Sequence, residues 1–139
     1  MRLCVLDSSF ALAWVFADEH NTLADALQEQ LYRGDSVVVP AVLWGLEVRN
    51  ALRSAVRRQR MTIEQAEERR LLLSRVPRIS VAAPAGLGNS LDQLMRAHGL
   101  TSYDAVYLAI AIEQALPLAT ADAELRAAAV AAGVRPYAG

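Results

Sequence analysis

Two runs of the chain, Leu3-Cys-Val-Leu6 and Val37-Val-Val-Pro40, are apolar at every position rather than at alternate ones. A strand of that kind is buried on both faces, which is the condition of the middle of a parallel sheet covered by helices. Both runs stop abruptly, the first at Asp7-Ser8-Ser9 and the second at Pro40 itself. An acid at the carboxyl end of a central strand stands where open α/β sheets bind their ligands.

The rest of the chain alternates around these runs. A short helix is expected over 9–17, with Ala11, Leu12, Val15 and Phe16 inward. A second covers 22–32, with Leu23, Leu27 and Leu31 at a spacing of four, and Gly34-Asp35 closes it. The longest helix spans 41–58. Met61-Thr62 breaks it, and Thr62 with Gln65 forms a capping box for a helix reaching Ser74. A third strand, 78–82, lies between Pro77 and Pro84, followed by a loop over 85–90 and a helix over 91–97 that closes at His98-Gly99. A very apolar helix, expected to be buried, fills 101–116. A short strand at 117–120, a helix at 122–132 and an edge strand at 134–137 complete the pattern. Strands alternating with helices predict a parallel sheet with right-handed crossovers. The expected fold is a single three-layer α/β/α domain over 1–139, with a sheet of four to five strands.

Bulk properties narrow the class. A chain of 139 residues that is 54% hydrophobic can bury a core and is not disordered. No apolar run approaches the ~20 residues of a membrane span, and the N-terminus lacks the small-residue cleavage site of a secretory signal. The single Cys4 lies inside the first strand, so no disulfide framework exists and a cytoplasmic setting is expected. With a net charge of −1, any surface for nucleic acid must be local.

Four carboxylates hold unusual places: Asp7 after the first strand, Glu47 two turns into the long helix, Asp104 in the first turn of the apolar helix, and Asp122 after the fourth strand. Asp7, Asp104 and Asp122 each also read as helix N-caps, where an acid satisfies free N–H groups and suits the helix dipole. Glu47 does not. Its neighbours three and four away are Leu43, Trp44, Asn50 and Ala51, so no salt bridge along the helix is open to it, and it must reach water or a cation. If the first strand is central, the ends of strands one and four face each other and the acids share a cleft. Like charges gathered there repel unless a cation neutralises them. All-oxygen ligation suits Mg²⁺ or Mn²⁺ rather than zinc. Such sites perform phosphoryl transfer and phosphodiester cleavage.

The segments Val5-Leu-Asp7-Ser8-Ser9, Glu47-Val-Arg-Asn50-Ala-Leu, Ser102-Tyr-Asp104-Ala-Val-Tyr-Leu-Ala and Ala119-Thr120-Ala-Asp122 resemble, in order and spacing, the PIN-domain ribonucleases, and most of all the VapC toxins of type II toxin–antitoxin pairs. The resemblance covers essentially the whole chain. It implies strand order 3-2-1-4-5 and an endoribonuclease that uses Mg²⁺ or Mn²⁺ to hydrolyse RNA phosphodiester bonds. It puts the family's acids on Asp7, Glu47, Asp104 and Asp122, and the supporting hydroxyls on Ser8 and Thr120. It further implies a cognate VapB-like antitoxin and a homodimer. Some relatives carry one more acid beyond the last motif. Here Ala123 is silent and Glu124 is open, which leaves the choice between one and two metals open as well.

Arg49, Arg53, Arg57, Arg58 and Arg60 crowd the end of the long helix. They read either as a track for RNA phosphates or an antitoxin segment, or as a solvated face that complements the helix dipole. Trp14 and Trp44 read as core or subunit-interface aromatics, His98 and His20 as a helix end and a loop residue, and Cys4 as core. Two rivals stand beside the nuclease. A phosphoacceptor receiver domain is disfavoured because the chain has no lysine and serines follow Asp7. A PIN-like interaction module without catalysis is the other.

Overall fold

The computed structural model describes residues 1–83 and 87–139. The two apolar runs lie side by side in it. β1 (Arg2–Leu6) pairs in parallel with β2 (Ser36–Pro40), β3 (Arg78–Val81) extends the far side of β2, and β4 (Leu118–Ala119) joins the other edge of β1. The sheet order is β3-β2-β1-β4. Cys4, Val5 and Leu6 are consecutive, so they point to alternate faces, yet all three are 0% exposed. β1 is therefore covered on both sides. Burial pushes the Cys4 thiol up to about 12, and it behaves as a packing group.

The expected fifth strand is reduced to one parallel bridge between Leu118 and Pro136. The Leu118 N–H donates to the Arg135 carbonyl at 3.0 Å and the Tyr137 N–H to the Leu118 carbonyl at 2.9 Å. Pro136 between them has no N–H with which to extend the ladder.

Five of the seven helices among the described residues follow the sequence pattern closely. α2 (Thr22–Tyr32) is capped by Asn21, whose Oδ1 accepts the N–H groups of Leu23 and Ala24 at 2.8 and 3.4 Å. Its Leu27 and Leu31 are buried but Leu23 is 37% exposed. A spacing of four drifts about 40° per step round a helix, enough to carry Leu23 off the core face. α3 (Leu43–Arg57) is followed by α4 (Ile63–Ser74), which begins with the expected capping box: Gln65 N–H to Thr62 Oγ1 at 3.1 Å and Thr62 N–H to Gln65 Oε1 at 2.9 Å. α5 (Leu87–His98) takes in most of the expected loop. Pro84 and residues 85–86 lie outside the described residues. α6 (Ser102–Gln114) is capped by Thr101, and α7 (Ala123–Ala131) by Asp122.

The stretch 9–17 departs from expectation. α1 is only Ser8–Ala11, and 3₁₀ turns follow at Leu12–Trp14 and Ala17–Glu19. Phe16 is extended there, and both Val15 and Phe16 are buried. Two adjacent side chains on a helix diverge by about 100°, so leaving the helix lets both enter the core.

The architecture is three-layer α/β/α. α6 packs on β1, β2 and β4, with α5 and α7 against it, while α3 packs on β2 and against α1 and α4. Right-handed crossovers require this division: the chain moves outward through β2 to β3 with one set of helices, then returns past β1 with the other on the opposite face. The reversal falls between β1 and β4. No helix among the described residues is long and apolar enough to cross a membrane.

Candidate active site

Asp7 leaves β1 at the point where the sheet reverses direction, and it is 4% exposed. It occupies the N-cap position of α1 but makes no side-chain cap bond. Its carboxylate turns instead toward β4. Oδ2 accepts the Ser9 hydroxyl at 2.6 Å and the Thr120 hydroxyl at 2.7 Å, while Oδ1 has a long contact of 3.5 Å from Ser8 Oγ. Ser9 and Thr120 in turn accept the N–H groups of Ala121 and Asp122, both at 3.0 Å. These two hydroxyls therefore tie the turn that carries Asp122 to the carboxylate at the end of β1. Burial pushes the Asp7 pKa up, and the Asp122 charge adds to this against the pull of Ser9 and Thr120.

Glu47 reaches the same place from α3. The turn before that helix is tight: Leu43 N–H donates to the Ala41 carbonyl at 2.8 Å, and Val42 between them has φ +68°, a strained conformation for a β-branched residue. Glu47 Oε1 accepts the Tyr107 hydroxyl from α6 at 2.6 Å and lies 3.5 Å from Ser8 Oγ. A single hydroxyl thus separates Glu47 from Asp7. Burial raises the Glu47 pKa, Tyr107 opposes it, and the charges of Asp7 and Asp104 raise it further.

Asp104 stands half-buried in the first turn of α6, where its N–H is capped by Thr101 Oγ1 at 3.2 Å. Its pKa is raised by burial first, then by the charges of Asp7 and Asp122, with Glu124 adding a smaller push. Asp122 is a true N-cap, its Oδ1 accepting Glu124 N–H at 2.8 Å and Leu125 N–H at 3.2 Å. The four acids therefore act on one another's charge although they come from four elements. None of the ion pairs among the described residues involves any of them.

The model of the PIN domain family matches residues 4–131. The chain belongs to the PIN-domain family. PIN domains are typically nucleases, which supports a hydrolase of the nuclease class. Among solved structures it is similar to PAE2754 from Pyrobaculum aerophilum, with 25% identity, a TM-score of 0.61, and coverage of 92% of this chain and 87% of that one. It is also similar in fold to FitAcB from Neisseria gonorrhoeae, with 16% identity, a TM-score of 0.60, and coverage of 96% of each chain. No curated protein sequence matches it.

PIN domains generally use divalent metal ions, and the donor set here suits one. It is all oxygen, carries up to four negative charges, and has no cation of its own, which is what a hard divalent ion requires. As the side chains stand, no group of three or more Asp, Glu, His and Cys among the described residues is drawn together closely enough to ligate an ion. The acids are electrostatic neighbours and not a closed cage.

Sequence reasoning singled out Ser8 as the hydroxyl beside Asp7, but Ser9 makes the shorter bond. Ser8 instead lies between Asp7 and Glu47. Tyr107 is another residue that the sequence reading passed over. It lies three positions after Asp104 on α6, hence on the same helix face, and that spacing was the available signal. Arg49, Arg53 and Arg57 are exposed on α3, separated from Glu47 round the helix by about 160°, 120° and 80°. Arg49 Nη1 donates to the Gly45 carbonyl at 3.0 Å. Arg60 is engaged elsewhere, with Asp18 and Glu19.

Proposed function

We propose that this PIN domain is an endoribonuclease dependent on Mg²⁺ or Mn²⁺, acting as the toxin of a toxin–antitoxin pair. The observation that carries the reading is the convergence of Asp7, Glu47, Asp104 and Asp122 on one end of the sheet with no ion pair to an arginine among the described residues. Buried like charges without a counter-ion are costly, and a divalent cation removes that cost.

Asp7, Glu47, Asp104 and Asp122 would hold the ion. When bound, it supplies Lewis-acid neutralisation of the charge building on the phosphate and lowers the pKa of a water. The chain's own part is positioning. Ser9 and Thr120 hold Oδ2 of Asp7, and the first turn of α7 holds Oδ1 of Asp122, so each carboxylate is fixed by one oxygen. Such outer hydrogen bonds set the orientation of ligands. Arg49 and Arg53 lie across α3 from Glu47, and Arg57 lies nearly three turns further along. They would engage the flanking backbone of a long RNA, or a segment of a VapB-like antitoxin wrapped round the helix, and not the scissile phosphate.

The proposal also takes in a single PIN-like domain over 1–139, a cytoplasmic setting, which suits one buried free cysteine, and, by the family resemblance, a homodimer. A non-catalytic interaction module is the rival, favoured by the open arrangement of the acids.

The test is cleavage of a structured RNA by purified, partner-free protein with Mg²⁺ or Mn²⁺, with and without chelator. Cleavage that is lost with EDTA, and lost in Asp7→Asn, supports the nuclease. Binding of RNA or a partner without any cleavage supports the module.

A further inference from the structure

Tyr107 is the largest fully buried side chain among the described residues, at 0% exposed, yet it carries a hydroxyl in an otherwise apolar stretch of α6. Its neighbours along the helix, Leu108, Ala109, Ile110 and Ala111, are all buried and apolar, so phenylalanine would fill the same space. The hydroxyl donates to Glu47 Oε1 at 2.6 Å, with the Ser8 hydroxyl also beside it, and the bond to Glu47 spans 60 positions of sequence and joins helices from opposite faces of the sheet. A bond of this length to a carboxylate is of the charge-assisted kind.

Resting on the proposed metal-dependent chemistry, we infer that Tyr107 is the positioning residue for Glu47: it holds Oε1 and leaves Oε2 as the oxygen presented to a divalent cation. Asp7 and Asp122 show the same division of labour. Asp7 Oδ2 takes two hydroxyl donors and Asp122 Oδ1 takes two backbone donors, while the second oxygen of each has at most a 3.5 Å contact among the hydrogen bonds of the described residues. Each of the three carboxylates is thus held by one oxygen, and a hard cation taking the other oxygen of each would have to draw them closer than they stand. Glu47 needs such a hold most. It is a long side chain on a helix, with no charged neighbour on that helix to pair with it, whereas Asp7 and Asp122 are short and anchored at element ends. Buried as it is, Tyr107 touches no RNA, so it acts only through Glu47.

The experiment is a double-mutant cycle on the full chain, with Mn²⁺ affinity read by titration calorimetry on chelator-stripped protein. Tyr107→Phe should weaken Mn²⁺ binding about tenfold or more, the range for loss of an outer hydrogen bond to a ligand. It should lower kcat for RNA cleavage with KM unchanged. In the Glu47→Gln background, adding Tyr107→Phe should change the affinity little further, because the residue it positions no longer bears the charge. An equal loss in both backgrounds would assign Tyr107 a purely structural role and overturn the inference, as would unchanged affinity in Tyr107→Phe. Failure of the wild-type protein to bind Mn²⁺ would overturn the metal reading itself, and this inference with it. Should Tyr107→Phe fail to fold, shown by loss of its circular dichroism and thermal transition, Tyr107 is a core residue first and the inference falls.

Discussion

Acids at two corners of this molecule are treated in opposite ways. At the corner between the 3₁₀ turn Ala17–Glu19 and the end of α3, Arg60 donates to both oxygens of Asp18 at 2.9 Å, approaches Glu19 at 3.8 Å, and lies 4.5 Å above the Phe16 ring. On α4, Arg70 grips Glu67 through two bonds of 3.0 and 2.6 Å. These acids are exposed, and each has an arginine. At the end of β1 the acids are buried or half-buried, and burial and neighbouring acid charges raise the pKa values of Asp7, Glu47 and Asp104. Among the described residues the hydrogen bonds to these acids come from hydroxyls and N–H groups. The chain has fourteen arginines and places none of them in an ion pair there among the described residues. Unmatched buried charge lowers stability, so the first corner is ordinary surface chemistry, and the second is where the proposed cation would offset a cost.

The contrast breaks most visibly in kinetics. Asp7→Asn keeps an acceptor for Ser9 and Thr120 but loses the charge. It should fold and yet reduce metal-dependent RNA cleavage by more than the ~100-fold upper range for an outer hydrogen bond. Cleavage assays at saturating Mn²⁺ check this. Next in size, Thr120→Val strips Asp7 of one donor and leaves the Asp122 N–H without its acceptor. It should lower stability by about 1–3 kcal/mol in urea unfolding.

The pH dependence follows from the raised carboxylates. Asp7, Glu47 and Asp104 take up protons more readily folded than unfolded, so metal-free stability conferred by these groups falls as pH rises from the ordinary carboxylate range near 4 through their raised values. In EDTA, the thermal midpoint of the wild type should gain on that of Asp7→Asn as pH is lowered from 7 toward 5, and a constant difference would contradict the account. The smallest effect belongs to the matched corner. Arg60→Ala should cost about 1 kcal/mol from its exposed ion pairs and ring contact together, and leave RNA cleavage unchanged.

The two corners were also unequally legible in the sequence. β1 and β2 were readable because an unbroken apolar run has few uses other than a doubly covered strand, and Asp7 came with it. Glu47 was readable because no neighbour on its helix could pair with it. The hydroxyl bound to Asp7 was not: Ser8 and Ser9 are adjacent, and which one turns back depends on the residue at which α1 begins. Tyr107 was hidden because a tyrosine among leucines and alanines looks like packing until its partner on another helix is seen. Of the three acids read equally as caps, only Asp122 caps a helix with its side chain. The Asp7 carboxylate caps nothing, and Asp104 begins its helix beneath the Thr101 cap. The arginines could be counted but not aimed, because an offset of two positions along a helix turns a residue through about 200°.

The central claim is that the unmatched acids exist to hold a cation, and the direct measurement is the anomalous scattering of crystals soaked in Mn²⁺. The account predicts a peak at the carboxyl end of β1 with Asp7 among its ligands and Glu47, Asp104 or Asp122 completing the set, and its disappearance in Asp7→Asn crystals. Saturating Mn²⁺ that binds elsewhere, with these four carboxylates left unligated, would contradict it.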